Sequence, residues 1–286
     1  MQKSKIIVIL GPTATGKSDL AVKIAQKIDG EIISADSRQV YKSLNIGTGK
    51  ITIKEMQGIP HHLLDVENPK NKFTVVKYQK KAIYAIAEIV KRGKIPIICG
   101  GTGFYIDAVT KGIIFPEVLP NQKLRKFLEK KSVLELFKIL KKLDKNRAKD
   151  IKVKNELNNK VRLIRAIEIA KSIGKTPRTT EATPPYKFIK IGLYLPQDKL
   201  KNRIEKRVKE MFKVGLLNEI KKLKKSGISQ KRLKELGFEY DSPTYEKVVK
   251  ETIKYTKRQM TWFKRDKEIK WFDASKKINL NKIISL

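Results

Sequence analysis

Ile6-Ile7-Val8-Ile9-Leu10 runs straight into Gly11-Pro12-Thr13-Ala14-Thr15-Gly16-Lys17-Ser18, and Asp19-Leu20-Ala21-Val22-Lys23-Ile24-Ala25 follows with apolar residues at helical spacing. A short apolar run ending at glycine reads as a buried strand, and the segment after the loop as a helix packed by one face. Strand, glycine-bounded turn and helix start together make a phosphate-binding loop. Backbone N–H groups and the positive end of the helix dipole face an anion there, Lys17 neutralises it, and the Ser18 hydroxyl is placed to hold Mg²⁺. The loop predicts a ligand with a di- or triphosphate and leaves the ester open.

Outward from this loop, residues 31–35 read as a second strand, 75–92 as a long amphipathic helix and 95–99 as a third strand. That alternation predicts an α/β fold, a phosphate-loop parallel sheet core flanked by helices, with ligands at the carboxyl ends of the strands. From about residue 119 to 173 the pattern turns helical, with Ser132-Val133-Leu134-Glu135 as a capping box and a later helix running from about Asn158. Gly174-Lys175-Thr176-Pro177 ends that helix, and residues 179–185 read as a loop. Strand alternation returns at 188–195, helices dominate to Arg265, and 269–272 reads as a last edge strand. The expected organisation is a core at 1–117 and 184–286, with a mainly helical insert at 118–183.

The 286 residues carry 65 Lys plus Arg against 29 Asp plus Glu, a formal charge of +36. Residues 1–110 account for +8, 111–190 for +14 and 191–286 for +14. The excess therefore lies away from the phosphate loop, as expected of segments that grip a long polyanion such as RNA or DNA. The single cysteine, Cys99, excludes an internal disulfide and fits a reducing cytosol. No run approaches the length of a membrane span, so a cytoplasmic protein without a membrane partner is expected, a monomer by default.

Few residues offer chemistry. A strand of a nucleotide hydrolase commonly ends in a magnesium-holding acid, whereas 95–99 leads into Gly100-Gly101-Thr102-Gly103, which suits close backbone approach and recognition through the threonine hydroxyl. The acid lies instead at Asp36, where the second strand ends. It reads either as the N-cap of a following helix or as a general base beside the phosphate loop. His61-His62, adjacent and without a third ligand, makes a poor zinc site and reads as a structural or substrate-rim loop. Arg203 and Arg207 share a helix face, either as diphosphate ligands or as solvated partners of Glu205 and Glu210. In the stretch 254–265, Tyr255, Gln259 and Trp262 are expected to face the core, with cations on the opposite face.

In their order, Gly11 to Ser18, Asp36 to Tyr41, Pro60 to Asp65, Gly100 to Tyr105, Arg162 to Glu168 and Lys257 to Phe263 resemble the tRNA dimethylallyltransferases. The resemblance covers nearly the whole chain. It implies transfer of a dimethylallyl group from dimethylallyl diphosphate to the exocyclic amine of an adenosine beside the anticodon of tRNA, with release of diphosphate. It further implies that residues Gly11, Pro12, Thr13, Ala14, Thr15, Gly16, Lys17 and Ser18 hold the diphosphate, with Mg²⁺ at Ser18. Asp36 is implied as base, with Thr102 orienting the amine and Arg207 taking leaving-group charge. Asp36, Ser37, Arg38 and Gln39, then Thr102 and Gly103, Arg125, and Asn158, Asn159, Lys160, Val161 and Arg162 correspond to contacts with the anticodon stem-loop.

Glu156-Leu157 stands where the family commonly has His-Pro, and Phe238 where Tyr is usual. The zinc-finger extension typical of eukaryotic relatives is missing, so a bacterial-type enzyme is expected. The runner-up is a small-molecule or nucleotide kinase in which the loop binds ATP; a catalytically idle RNA binder is the third.

The charge distribution makes a direct prediction. Binding of an anticodon stem-loop, followed by fluorescence anisotropy, should weaken steeply and linearly in log[salt], because each neutralised phosphate releases counterions. A flat response would remove the role given to the basic segments.

Overall fold

The computed structural model describes residues 4–153, 156–175 and 180–286. The chain divides into two compact units, one of residues 1–112 with 183–286 and one of residues 113–182.

The larger unit begins β1 (Lys5–Leu10), α1 (Lys17–Ile28), β2 (Gly30–Ala35), α2 (Ile53–Met56), β3 (His61–His62), α3 (Val75–Lys91), β4 (Ile95–Gly100) and α4 (Gly103–Thr110). The smaller unit follows with β5 (Ile113–Ile114), α5 (Gln122–Glu129), α6 (Val133–Leu143), α7 (Lys145–Val153), α8 (Lys160–Ile173) and β6 (Thr180–Glu181). The larger unit resumes as β7 (Lys187–Tyr194), α9 (Gln197–Lys213), α10 (Leu216–Lys225), α11 (Gln230–Leu236), α12 (Tyr245–Phe263), β8 (Lys270–Asp273) and α13 (Leu280–Ile284).

Its six strands form one sheet in the order β3-β2-β4-β1-β7-β8, every pair parallel. Central parallel strands are covered on both faces, which is why β1 is apolar from Ile6 to Leu10 instead of alternating with polar residues. Ile6, Val8 and Leu10 pack with Tyr78, Ala82 and Ile86 of α3 and Ile106 of α4. Ile7 and Ile9, one residue out of phase, pack with Leu20, Ala21 and Ile24 of α1. Cys99 is buried in this second layer, and burial pushes its thiol up to about 12. From β1 the chain crosses to β2 and returns to β4 on one side, while β7 pairs on the other. The crevice at the carboxyl ends of these strands is where open α/β sheets take ligands.

A third cluster seats Val40, Tyr41 and Leu44 against Met211, Leu216, Ile220, Leu233 and Tyr240, so the segment after β2 is anchored on α9 to α11. No helix among the described residues is long and apolar enough to cross a membrane.

Two readings are corrected. His61 and His62 are not loop but an edge strand paired with Ile32 and Ile33. Its anchor is a buried acid: His62 Nε2 lies 2.6 Å from Glu31 Oε2, and Arg92 donates to the same carboxylate at 2.8 Å. Thr180 and Glu181, read as loop, pair antiparallel with Ile114 and Ile113. Residues 176–179, where the preceding helix was expected to give way to that loop, lie outside the described residues.

The smaller unit packs Leu128, Leu136, Leu140, Ile151, Leu163 and Ile167 into its own core. The capping box at Ser132 and Glu135 forms, and α8 starts at Lys160, with Asn159 accepting the Arg162 N–H at 3.0 Å. At the centre of its polar contacts is Glu168, 2 % exposed. Its carboxylate accepts Arg125 Nε at 2.9 Å and Nη2 at 2.6 Å, the Asn121 N–H at 2.6 Å, and Arg165 Nη1. Burial opposes the charge, but the hydrogen bonds from Arg125, Arg165 and Asn121 outweigh it and hold the carboxyl below the usual glutamate range.

A depressed carboxyl stabilises the fold above its unfolded pKa, and that contribution is lost as pH falls through the folded one. Acid should therefore loosen this unit below the ordinary glutamate range. Glu168→Gln should cost about 3 kcal/mol at neutral pH, because two guanidinium groups lose their counter-charge. Faster amide exchange in α5 and α8 is the expected signature.

Candidate functional site

The phosphate loop leaves β1 at Gly11, whose φ of +139° and position against Leu193 exclude a side chain; a Cβ would stand 2.3 Å from the Leu193 carbonyl oxygen. It closes at Gly16, the N-cap of α1, at φ +85° in the left-handed region. With glycine there, no side chain caps the helix, in contrast to Thr74 before α3 and Thr244 before α12. The first-turn N–H groups are thus left for an external anion. Inside the loop, Thr15 Oγ1 donates to the Pro12 carbonyl at 2.9 Å and Lys17 Nζ donates to the same oxygen at 2.5 Å. Burial pushes the Lys17 amine down to about 8, with Cys99 and Asp36 opposing and Arg207 assisting.

Asp36 follows β2 and is half-buried. Its Oδ1 accepts the N–H groups of Arg38 at 2.8 Å and Gln39 at 3.2 Å, but these bonds cap a turn; the helix expected to follow Asp36 does not form, the next being α2 at Ile53. The same two bonds fix the carboxylate's orientation through Oδ1. Thr102 is tied to this turn: its N–H donates to the Ala35 carbonyl at 3.1 Å, and its Oγ1 accepts the Ser37 N–H at 3.0 Å. Gly103 lies under the Trp262 ring, where a Cβ would be 2.3 Å from Cδ1.

Arg207 comes from α9. Its Nη2 donates to the Thr48 carbonyl at 3.0 Å, and its guanidinium covers Gly49 so closely that a Cβ there would meet Nη2 at 2.0 Å. Burial lowers the guanidinium pKa, with Asp36 the largest opposing charge, and the group stays a cation. Asp36, Lys17 and Arg207 thus sit within one electrostatic field. Arg203, one turn earlier, is exposed near Gly16, while Glu205 pairs with Lys201 at 3.8 Å. The loop that receives Arg207 is itself held by a buried acid. Glu219 accepts the N–H groups of Asn45, Ile46 and Gly47 at 2.9, 2.8 and 3.1 Å, and the Tyr240 hydroxyl at 3.0 Å.

Of the remaining residues carried over from the family, Arg38 pairs with Glu239 and lies over the Phe238 ring at 4.9 Å. Gln39 Nε2 reaches the Thr48 and Gly49 carbonyls at 3.4 Å. In the smaller unit Arg125 has its Nε and Nη2 committed to Glu168. Asn158 and Val161 are exposed, Lys160 donates to the Glu129 carbonyl at 2.6 Å, and Arg162 pairs with Glu156, the residue that departs from the family pattern. Sequence reading missed Gly49, Glu219 and the bridging role of Gln259, which joins the Thr13 N–H to the Gly101 carbonyl. Each acts across a sequence separation that no local pattern encodes.

Comparison with known proteins places the chain in a family. The sequence pattern of the IPP transferase family matches residues 39–266, starting just after Asp36. A tRNA dimethylallyltransferase of Halothermothrix orenii is 41% identical over 95% of this chain and 88% of its own length. That of Carboxydothermus hydrogenoformans is 39% identical over 98% and 94%. Among solved structures, the full-length tRNA isopentenylpyrophosphate transferase of Bacillus halodurans superposes with a TM-score of 0.70 at 34% identity, covering 99% of this chain and 94% of that one. A eukaryotic dimethylallyltransferase described as acting on tRNA gives 0.77 at 27% identity, over 95% and 74%.

The half-buried Lys17 sets a testable pH dependence. A bound diphosphate favours the ammonium form, so Lys17 takes up a proton on binding when the pH exceeds about 8. Calorimetry of an alkyl diphosphate, fully ionised at that pH, in buffers of different ionisation heat should show uptake, with affinity falling as pH rises through this value.

Proposed function

The chain belongs to the IPP transferase family, and from that premise we propose that it transfers a dimethylallyl group from dimethylallyl diphosphate to the exocyclic amine of an adenosine beside the anticodon in tRNA. The observation that carries this reading is the set of hydrogen bonds tying Asp36, the Lys17 loop and Arg207 into one site: Thr102 accepts from Ser37 beside Asp36, Gln39 and Arg207 both donate to the Thr48 carbonyl, and Gln259 joins the Thr13 N–H to the Gly101 carbonyl, next to an uncapped helix start. The end of β4 and the turn after it supply Gly100, Gly101 and Thr102 and no acid to hold a nucleotide's metal, which favours prenyl transfer over the kinase reading.

The amine nitrogen attacks the allylic carbon, the nitrogen–carbon bond forms, and the carbon–oxygen bond breaks with its electron pair leaving on diphosphate. The amine proton passes to Asp36 Oδ2, the oxygen left open by the Arg38 and Gln39 N–H groups. Thr102, anchored on Ser37 beside that carboxylate, orients the amine. The uncapped N–H groups at the start of α1, with Lys17 and Arg207, take the charge that develops on the leaving group.

Mg²⁺ fits the donors available. Among the described residues no group of three or more His, Cys, Asp or Glu could hold a metal, so the ion would be held by the Ser18 hydroxyl together with diphosphate oxygens and water. It would supply charge neutralisation on the diphosphate. A base in a paired or stacked stem cannot reach a half-buried carboxylate, so the adenosine leaves its stack. Arg38, Gln39 and Gly103 line the core's approach to it. Asn158, Asn159, Lys160, Val161 and Arg162 contact the stem-loop from the helical unit, whose sequence carries 19 basic and 8 acidic residues. Arg125 serves that contact by holding α5 to α8 through Glu168.

The test is incubation of purified protein and Mg²⁺ with an anticodon stem-loop and either dimethylallyl diphosphate or ATP. A gain of one prenyl mass on the RNA is expected; ADP formation would mean a kinase, and neither product an RNA binder. Asp36→Asn should lower kcat about 10²- to 10⁴-fold while RNA affinity stays within about twofold. Near-normal turnover would remove Asp36 as the base.

A further inference from the structure

Parallel pairing of β1 with β4 runs through Leu10 and Gly100, and beyond that pair the two chains diverge into the phosphate loop and the turn bearing Thr102. One side chain spans the gap. Gln259 of α12, 6 % exposed, accepts the Thr13 N–H at Oε1 (3.0 Å) and donates from Nε2 to the Gly101 carbonyl (2.9 Å). A buried amide is costly unless both ends are partnered, and the reverse orientation would set donor against donor and acceptor against acceptor. The bridge therefore has one orientation and one length. Gly101 leaves room for nothing else, since a Cβ there would stand 2.3 Å from Nε2. Helix α12 is held from below by Val248, Thr252, Thr256 and Phe263, all buried, so the amide hangs from a fixed support.

We propose that Gln259 is a positioning residue for the transfer. Its single amide sets the spacing between the loop that holds the diphosphate and the turn that orients the acceptor amine. This rests on the reading above for the assignment of the two loops to two substrates. Transfer between two bound partners is sensitive to such spacing, because a displacement of about 1 Å can cost on the order of a hundredfold in rate.

Gln259→Met keeps side-chain length and removes both hydrogen bonds. The expected result is a kcat reduced about a hundredfold and a KM for dimethylallyl diphosphate raised about tenfold. Stem-loop affinity should stay within about twofold, and the melting temperature within a few degrees. Gly101→Ala displaces the amide from the other side and should give the same kinetic phenotype. The double variant should be no worse than the more impaired single one, since both break one joint.

Wild-type kcat and KM in folded Gln259→Met, or additive losses in the double variant, would overturn the proposal; if Gln259→Met does not fold, Gly101→Ala decides by the same criteria. Calorimetry with inorganic diphosphate separates this inference from the proposed reaction. If the wild-type protein prenylates no RNA, the reaction is refuted. The loop-spacing role is then judged by whether Gln259→Met binds diphosphate about tenfold more weakly, and equal affinity would refute it too.

Discussion

At the carboxyl ends of the central strands, backbone passes backbone with no room for a β-carbon. Gly11 lies against the Leu193 carbonyl and Gly100 against that of Ala35, where added Cβ atoms would stand 2.3 and 2.2 Å from oxygen. This close approach draws β1, β2, β4 and β7 together at the edge where their loops emerge. The phosphate loop, the Asp36 turn and the Thr102 turn can then share one small volume. A larger residue at either glycine would force the strand ends apart, and charges placed to act together would separate into water, where their mutual influence is weak.

A second design rule runs through both units. In a chain of net charge +36, a few carboxylates are placed inside, and three of them satisfy several donors at once. Glu219 gathers three consecutive N–H groups and a tyrosine hydroxyl, Glu168 collects two arginines and an N–H, and Glu31 binds His62 and Arg92. Buried acids with full complements of donors hold loops that apolar packing alone would leave undefined. The start of α1 follows the opposite rule. Its N–H groups meet no internal acid and no capping side chain, and Lys17 turns back onto a carbonyl of its own loop.

Much of this was legible in the amino-acid order because it depends on local spacing. Strand β1, the phosphate loop and α1 follow from an apolar run, glycines and a helical period. The capping box at Ser132 appears where its spacing places it. The same rules failed at His61-His62 and Thr180-Glu181, because two-residue strands have no period to read and exist only through their partners. Arg207 shows the limit from another side: its spacing from Arg203 is local, but the choice between solvent and the Thr48 carbonyl depends on a loop 159 residues away.

The order of residues by itself determined the α/β class, the anion-binding loop, the basic surface and the family, since each rests on spacing or composition within a few turns of chain. Only the tertiary structure decided which acid fixes the Thr48 loop and that Gln259 bridges the phosphate loop and the Thr102 turn. Those assignments depend on burial and on hydrogen bonds between residues far apart in sequence. Whether a polar side chain meets water or a partner is settled only when the sheet and its covering helices have closed around it.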